Sequence, residues 1–309
     1  MQLIIQFVLL ALGFTMLVKG ADWFVDGSSA VARRFGIPQL VIGLTIVAMG
    51  TSAPEAAVSI TAALHGSAEI TIGNIVGSNI LNILIILGLS SLLCSLAVAK
   101  STIRVENPFM ILITLALLAL GLDGTISLFD GIILLAFFGV YLGYLFWMAK
   151  KGQETVEEAK EQPLWKSLLM TVIGLAFIVW GSDVTVDAAT ALARIFGMSE
   201  RFIGLTIVAL GTSLPELFTS VNAARKGNAD IAIGNIVGSN IFNILFVVGL
   251  SGLIVPVPFD GMFIIDTLVA IAAAAMLGGF CVLKGKLVRW HGIVMLASYA
   301  VYLGWLLMK

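Results

Sequence analysis

Two glutamates, Glu55 and Glu216, sit inside long apolar runs, each directly after a proline. The first lies in Gly50-Thr51-Ser52-Ala53-Pro54-Glu55, the second in Gly211-Thr212-Ser213-Leu214-Pro215-Glu216. Pro54 and Pro215 lack a backbone donor and disfavour the helical state of the residue before them. Each segment therefore predicts a kinked or broken helix, with free carbonyls around Ala48 to Thr51 and around Ala209 to Thr212. The hydroxyls of Thr51, Ser52, Thr212 and Ser213 lie within a turn of a carboxylate. Such groups are costly in lipid unless they face protein or line a polar cavity. Two such breaks facing each other make a cage of hard oxygens with two negative charges. Calcium takes about six to eight oxygens in flexible geometry, and sodium uses fewer. Soft metals want thiolate or imidazole, which neither segment supplies.

A second motif follows each first one after a polar gap. It reads Gly73-Asn74-Ile75-Val76-Gly77-Ser78-Asn79-Ile80-Leu81-Asn82 in one copy and Gly234-Asn235-Ile236-Val237-Gly238-Ser239-Asn240-Ile241-Phe242-Asn243 in the other. Ser78 and Asn82 are four apart and share a helical face, as do Ser239 and Asn243. Gly73 and Gly77, like Gly234 and Gly238, form a small-xxx-small face for close helix packing. Asn74, Asn79, Asn235 and Asn240 suit interhelical hydrogen bonding as well as they suit ion binding. Asn82 and Asn243, each paired with a facing glutamate, are assigned to the ion site. The two copies align without a gap from Ile42 to Leu93, and about two-thirds of those positions are identical.

The elements that must position these groups are membrane helices. The chain has 309 residues, 60% hydrophobic and 11% charged, with a mean hydropathy of +1.08. A soluble domain is about one-quarter charged. The net charge of −1 gives no indication of a nucleic-acid partner. A spanning helix needs about 20 mostly apolar residues. That rule predicts an all-α membrane protein of ten spans: Leu3–Lys19 with an amphipathic extension past Asp22, Leu40–Leu64, Ile70–Leu96, Pro108–Leu122, Leu128–Met148, Leu168–Asp183 and beyond, Phe202–Ala224, Ile231–Val255, Met262–Leu283 and Gly292–Leu307. The N-terminal run lacks a basic flank and a clean cleavage site, so it reads as a retained helix.

Charge placement sets the orientation. With both termini outside, the inside loops hold Arg33, Arg34, Lys100, Arg104, Lys150, Lys151, Lys160, Lys166, Arg225, Lys226, Lys284, Lys286 and Arg289. The outside segments hold only Arg194, Arg201 and Lys309. This is the positive-inside pattern of a plasma (inner) membrane protein. Equivalent helices are five apart, an odd number, so the copies enter the bilayer from opposite sides. The expected organisation is two inverted five-helix repeats, 1–149 and 167–309, joined by a charged cytoplasmic linker over 150–166. In such architectures ion sites lie near the midplane at the repeat interface.

On these paired motifs the chain resembles the calcium/cation antiporter superfamily, and within it the sodium/calcium exchanger branch. The resemblance covers nearly the whole chain. It implies a secondary antiporter that exchanges sodium for calcium by alternating access, with Na+ and Ca2+ as cargo and no bound cofactor. It further implies Glu55 and Glu216 as calcium ligands shared with sodium, and the backbone carbonyls of Thr51 and Thr212 as completing that site. Ala48, Ser52, Ser78, Ala209, Ser213 and Ser239 would line flanking sodium sites, and Asn82 and Asn243 would close the centre. Potassium-dependent members, and some prokaryotic ones, carry Asp where this chain has Asn243, so at this position the resemblance is to potassium-independent members. A calcium/proton antiporter is the alternative, because both glutamates could take protons. A passive channel fits an inverted repeat poorly, since channels usually surround a pore with symmetric subunits. Against an intramembrane enzyme, the spans hold no histidine and no paired nucleophile and base.

The remaining polar residues have blander readings. Asp22, Asp26, Asp183 and Asp187 recur in both halves and read as interfacial or packing residues, with a part in ion access as the alternative. His65 and His291 read as surface loop residues. Trp165, Trp290 and Trp305 fit an aromatic belt, and Trp180 a packed position. Cys94 and Cys281 read as buried small hydrophobes, with no zinc-ligand spacing.

Overall fold

The computed structural model describes residues 2–65, 67–151, 162–197 and 209–308, and most of them are helical. Helix α1 (Gln2–Arg34) is one continuous rod of 33 residues. At 1.5 Å per residue it is about 50 Å long, well beyond the roughly 30 Å of a hydrocarbon core. Its charged second half therefore projects past the apolar stretch, as the predicted extension requires. Two shorter helices follow, α2 (Gln39–Thr51) and α3 (Ala53–Leu64), bent by 48° at the break between them. Next come α4 (Ile70–Leu93), strand β1 (Leu96–Ala97), α5 (Thr102–Gly121), strand β2 (Thr125–Ile126) and α6 (Leu128–Lys151). The second half holds α7 (Leu164–Ile195), a turn of helix at Ala209–Gly211, α8 (Leu214–Arg225) and α9 (Ala229–Ile254). It ends with strand β3 (Val257–Pro258), α10 (Gly261–Lys284), strand β4 (Lys286–Leu287) and α11 (Arg289–Met308).

Among the described residues, eight single helices are long and apolar enough to cross a membrane, and the bent pair α2–α3 makes a ninth span. The expected span Phe202–Ala224 falls partly outside the described residues, and so does most of the 150–166 linker. Span four starts earlier than expected. Its first turn is a π-helix over Thr102–Glu106, and Pro108 follows near the start of the regular helix, where a missing donor is tolerated.

Helices α4 and α9 form the centre. Nearly all of α9 and most of α4 is buried, whereas the apolar stretches of α1, α6 and α11 are largely exposed. Hydropathy does not distinguish these two classes, because a helix apolar all round suits either protein core or lipid. Both central helices widen into a π-turn at the same place, Asn82–Leu87 and Asn243–Val248. Such turns recur at functional sites because they re-aim side chains.

Two other features tie the halves together. β1 pairs antiparallel with β4, Leu96 opposite Leu287, and β2 pairs with β3, Ile126 opposite Val257. Each clasp joins a strand of the first half to one of the second, and these four inward residues are buried. The other feature is the seam between α1 and α7, which run antiparallel in close contact. A Cβ on Gly20 would lie 2.8 Å from the Gly174 carbonyl, and one on Gly174 would lie 2.5 Å from the Phe24 amide. Gly13 meets Gly181 and Thr185 in the same way, and Gly27 meets Ser167 and Thr171. Glycines at seven-residue spacing let the two backbones touch along their length.

Three expectations need correction. His291 is fully buried in the first turn of α11, with its ring stacked 4.3 Å from Phe280 and its Nδ1 accepting from the Val288 amide. The imidazole serves there as a helix-start acceptor inside an aromatic cluster, so it is not a surface group. Trp180 is 61% exposed, on the outward face of α7. Cys281 is buried as expected, but Cys94 is only half-buried.

Candidate cation-binding site

The helix breaks fall where the prolines require. Ser52 terminates α2 and Ser213 precedes α8, both in non-helical conformation, and Pro54 and Pro215 occupy the first turns that follow. A proline there is harmless to the new helix but leaves the previous one without its donor. Each glutamate thus stands in the first turn of a helix that starts inside the protein, where the helix dipole favours negative charge. Glu55 and Glu216 are fully buried, together with Thr51, Ser52, Asn82, Ser239 and Asn243.

The two halves interlock at this point. Ser52 donates its hydroxyl to Glu216 Oε1 at 2.8 Å, and Ser213 donates to Glu55 Oε1 at 3.4 Å. Each glutamate is therefore held by the serine of the other copy. Ser213 Oγ also lies 3.4 Å from Ser78 Oγ, which brings an α4 hydroxyl to the same place. The asparagines exchange bonds in the same crossed manner. Asn79 donates to the Asn240 carbonyl at 3.1 Å, and Asn240 donates to the Asn79 carbonyl at 3.2 Å. Asn82 donates to Asn240 Oδ1 at 3.0 Å, and Asn243 to Asn79 Oδ1 at 3.2 Å.

Asn74 and Asn235 are structural ties. Asn74 donates to Ser59 Oγ at 3.0 Å and to the Glu55 carbonyl at 3.2 Å. Asn235 donates to Ser220 Oγ at 2.8 Å and to the Glu216 carbonyl at 3.4 Å. Ser59 and Ser220 escape the motif-based reading. Their recurrence four residues after each glutamate is the signal that points to them. Thr51 Oγ1 lies 2.9 Å from Asn235 Oδ1 and 3.1 Å from the Val47 carbonyl, so its single proton is taken up on the protein side.

The Ala48 carbonyl is not free as expected. It accepts from the Ser52 amide at 3.0 Å and from Ser239 Oγ at 3.3 Å. The backbone of Ala209 opens the short turn Ala209–Gly211, and Thr212 follows it, half-buried. Gly234 and Gly238 do pack closely, against Gly43 and Leu44. The counterpart segment for Gly73 and Gly77 lies outside the described residues.

On the two glutamates and the two asparagines assigned to the ion site, four buried oxygens have no hydrogen-bond partner: Glu55 Oε2, Glu216 Oε2, Asn82 Oδ1 and Asn243 Oδ1. They occupy equivalent positions in the two copies. Every other polar atom of these four side chains is engaged, so the pattern is selective. A buried acceptor without a donor costs about 1–3 kcal/mol, more when charged, and a cation removes that cost for all four. Among the described residues no group of three or more Asp, Glu, His or Cys side chains gathers anywhere. The donor set is therefore two carboxylates with neutral oxygens, all hard and none soft.

Comparison with known proteins points the same way. A family model described as sodium/calcium exchanger protein matches twice, over residues 5–147 and 166–308. The chain is 32% identical to the sodium/calcium exchanger MaX1 of Methanosarcina acetivorans, over 97% of both chains. It is 41% identical to the inner membrane protein YrbG of Escherichia coli, over 82% of this chain and 81% of that one. Among solved structures, the sodium-calcium exchanger NCX_Mj soaked with 2.5 mM Na+ and 10 mM Sr2+ superposes with a TM-score of 0.86 at 34% identity. That match covers 98% of this chain and 99% of the other.

Proposed function

Since the chain belongs to the sodium/calcium exchanger family, we propose that it is a secondary antiporter that trades Na+ for Ca2+ at one shared central site. The observation that carries this reading is the quartet of unpartnered oxygens on Glu55, Glu216, Asn82 and Asn243. Two carboxylates balance one divalent ion, or two monovalent ions that share the site in turn. Either occupancy compensates the same buried charge, which makes the two cargoes compete. The Thr51 and Thr212 carbonyls complete the calcium shell in this scheme. Ser52, Ser78, Ser213 and Ser239, with the backbone of Ala48 and Ala209, flank it as sodium positions.

The architecture proposed is ten spans in two inverted repeats, 1–149 and 167–309, joined by a cytoplasmic linker, with both termini outside and the plasma (inner) membrane as location. The double family match and the crossed serine–glutamate and asparagine–asparagine bonds support the repeat. Asn243, rather than an aspartate, supports potassium-independent exchange. The protein carries out no chemical conversion, and alternating access moves the ions.

The test is uptake of radioactive calcium into vesicles loaded with sodium. Uptake driven by an outward sodium gradient supports the reading. Uptake driven only by a proton gradient would move the protein to calcium/proton exchange, and currents far above carrier turnover would make it a channel.

A further inference from the structure

The two halves match in sequence but not in exposure. Val58 on α3 is 42% exposed, whereas its equivalent on α8, Thr219, is fully buried. Ala53 and Thr61 are exposed, and their equivalents Leu214 and Asn222 are half-buried. The difference lies in what covers each helix. Helix α1 packs along α8, with Phe14 against Phe218 at 6.1 Å. Among the described residues, α7 makes no comparable contact with α3. One glutamate helix is therefore roofed and the other open.

The roofed face of α8 is polar. Glu216, Thr219, Asn222 and Lys226 follow at spacings of three and four, which places them in one stripe from the central site to the helix end. Thr219 Oγ1 is buried there without a hydrogen-bond partner. The stripe ends at Lys226, whose Nζ lies 3.1 Å from Asp22 Oδ1, 2.8 Å from Asp26 Oδ1 and 3.2 Å from the Asp22 carbonyl. Asp22 and Asp26, one turn apart on α1, would repel each other without that cation. Lys226 thus fastens the roof to the helix it covers. The equivalent position on α3 is His65, whose Nδ1 lies 2.8 Å from the Thr61 carbonyl of its own helix.

We propose that the stripe Glu216–Thr219–Asn222 is the route between the central site and the α8 end of the protein, that α1 closes it, and that Lys226 is the latch holding α1 in place through Asp22 and Asp26. The structure is then the state open beside α3 and shut beside α8. The proposal rests on the transport reading for the meaning of the route, but the latch itself is testable without any cargo.

The experiment places Thr219→Cys, or Val58→Cys, in a background where Cys94 and Cys281 are serine. Purified protein in lipid nanodiscs, accessible from both faces, is labelled with a charged, membrane-impermeant thiol reagent. Val58→Cys labels fast and Thr219→Cys slowly in the parent. Adding Lys226→Met speeds labelling of Thr219→Cys by about fivefold, the scale of one partly exposed ion pair. Lys226→Arg restores protection. Asp22→Asn with Asp26→Asn gives the same acceleration as Lys226→Met and guards against a folding artefact of a single variant. A Thr219→Cys rate unchanged by both interventions overturns the latch, as does a parent rate equal to that of Val58→Cys. If labelling responds as expected while sodium-driven calcium uptake is absent, the latch stands and the cargo assignment falls. If uptake is present and labelling is indifferent, the latch alone falls.

Discussion

Ser52 and Glu216, from opposite halves of the chain, share a 2.8 Å hydrogen bond in which the serine hydroxyl donates to Oε1. The bond fixes one carboxylate oxygen and leaves Oε2 without a partner. Glu216→Gln would keep the shape but replace one acceptor with a donor and remove the charge. Sodium-driven calcium uptake should fall at least about hundredfold, since a charged ligand in a dry site is worth several kcal/mol. Glu55→Gln should do the same. Gel filtration and thermal unfolding of both variants should match the parent. Full transport by either variant would remove the site from the proposal.

Asn240 makes a different contribution. Its side chain donates to the Asn79 carbonyl and accepts from Asn82, so it orients a site residue without an unpartnered atom of its own. Asn240→Ala should lower stability by about 1–2 kcal/mol, the scale of one or two interhelical bonds in a membrane protein. Calcium uptake should fall but persist, in contrast to the glutamate variants. Thermal unfolding in detergent and flux at saturating calcium separate the two effects.

The potassium question turns on Asn243. Its Nδ2 lies 3.2 Å from Asn79 Oδ1. Asn243→Asp would set two acceptors against each other and add a third negative charge to the site. Exchange by the parent should be unchanged when choline replaces potassium. Exchange by Asn243→Asp should become stimulated by potassium, which would supply the missing positive charge.

The seam between α1 and α7 gives a stability prediction. A side chain on Gly174 would run into the backbone of Phe24, whereas a Cβ on Gly139 meets nothing within 4 Å. Gly174→Leu should destabilise the protein by about 1–3 kcal/mol or more, the usual cost of overpacking. Gly139→Leu should leave its unfolding temperature near that of the parent.

Much of this was readable from residue types alone. Pro54 and Pro215 announce the helix breaks because a missing donor and a ring clash act locally, whatever surrounds them. The carboxylates could be placed inside the protein because lipid tolerates them nowhere else. Other features depend on partners far along the chain. The two-residue clasps are too short to leave a periodic signal. The satisfied Ala48 carbonyl depends on Ser239, far away in sequence. His291 lies beside a lysine-containing turn and looks like a surface group until α10 is laid against it. The unequal covering of Val58 and Thr219 leaves no mark in the sequence, because it depends on which long helix lies over each of two equivalent short ones.

The glycine contacts between α1 and α7 have a mechanical consequence. Two rods in backbone contact along their length travel as a single beam. One rod of that beam, α1, bears on α8, and the other, α7, passes beside the break between α2 and α3, where Gly50 faces Leu175. In the exchange scheme proposed above, a beam tilted off one vestibule would swing over the other, so that both doors would never stand ajar together. On that scheme a cation entering from one side would wait for the beam to move before going on, and each crossing would be counted rather than leaked.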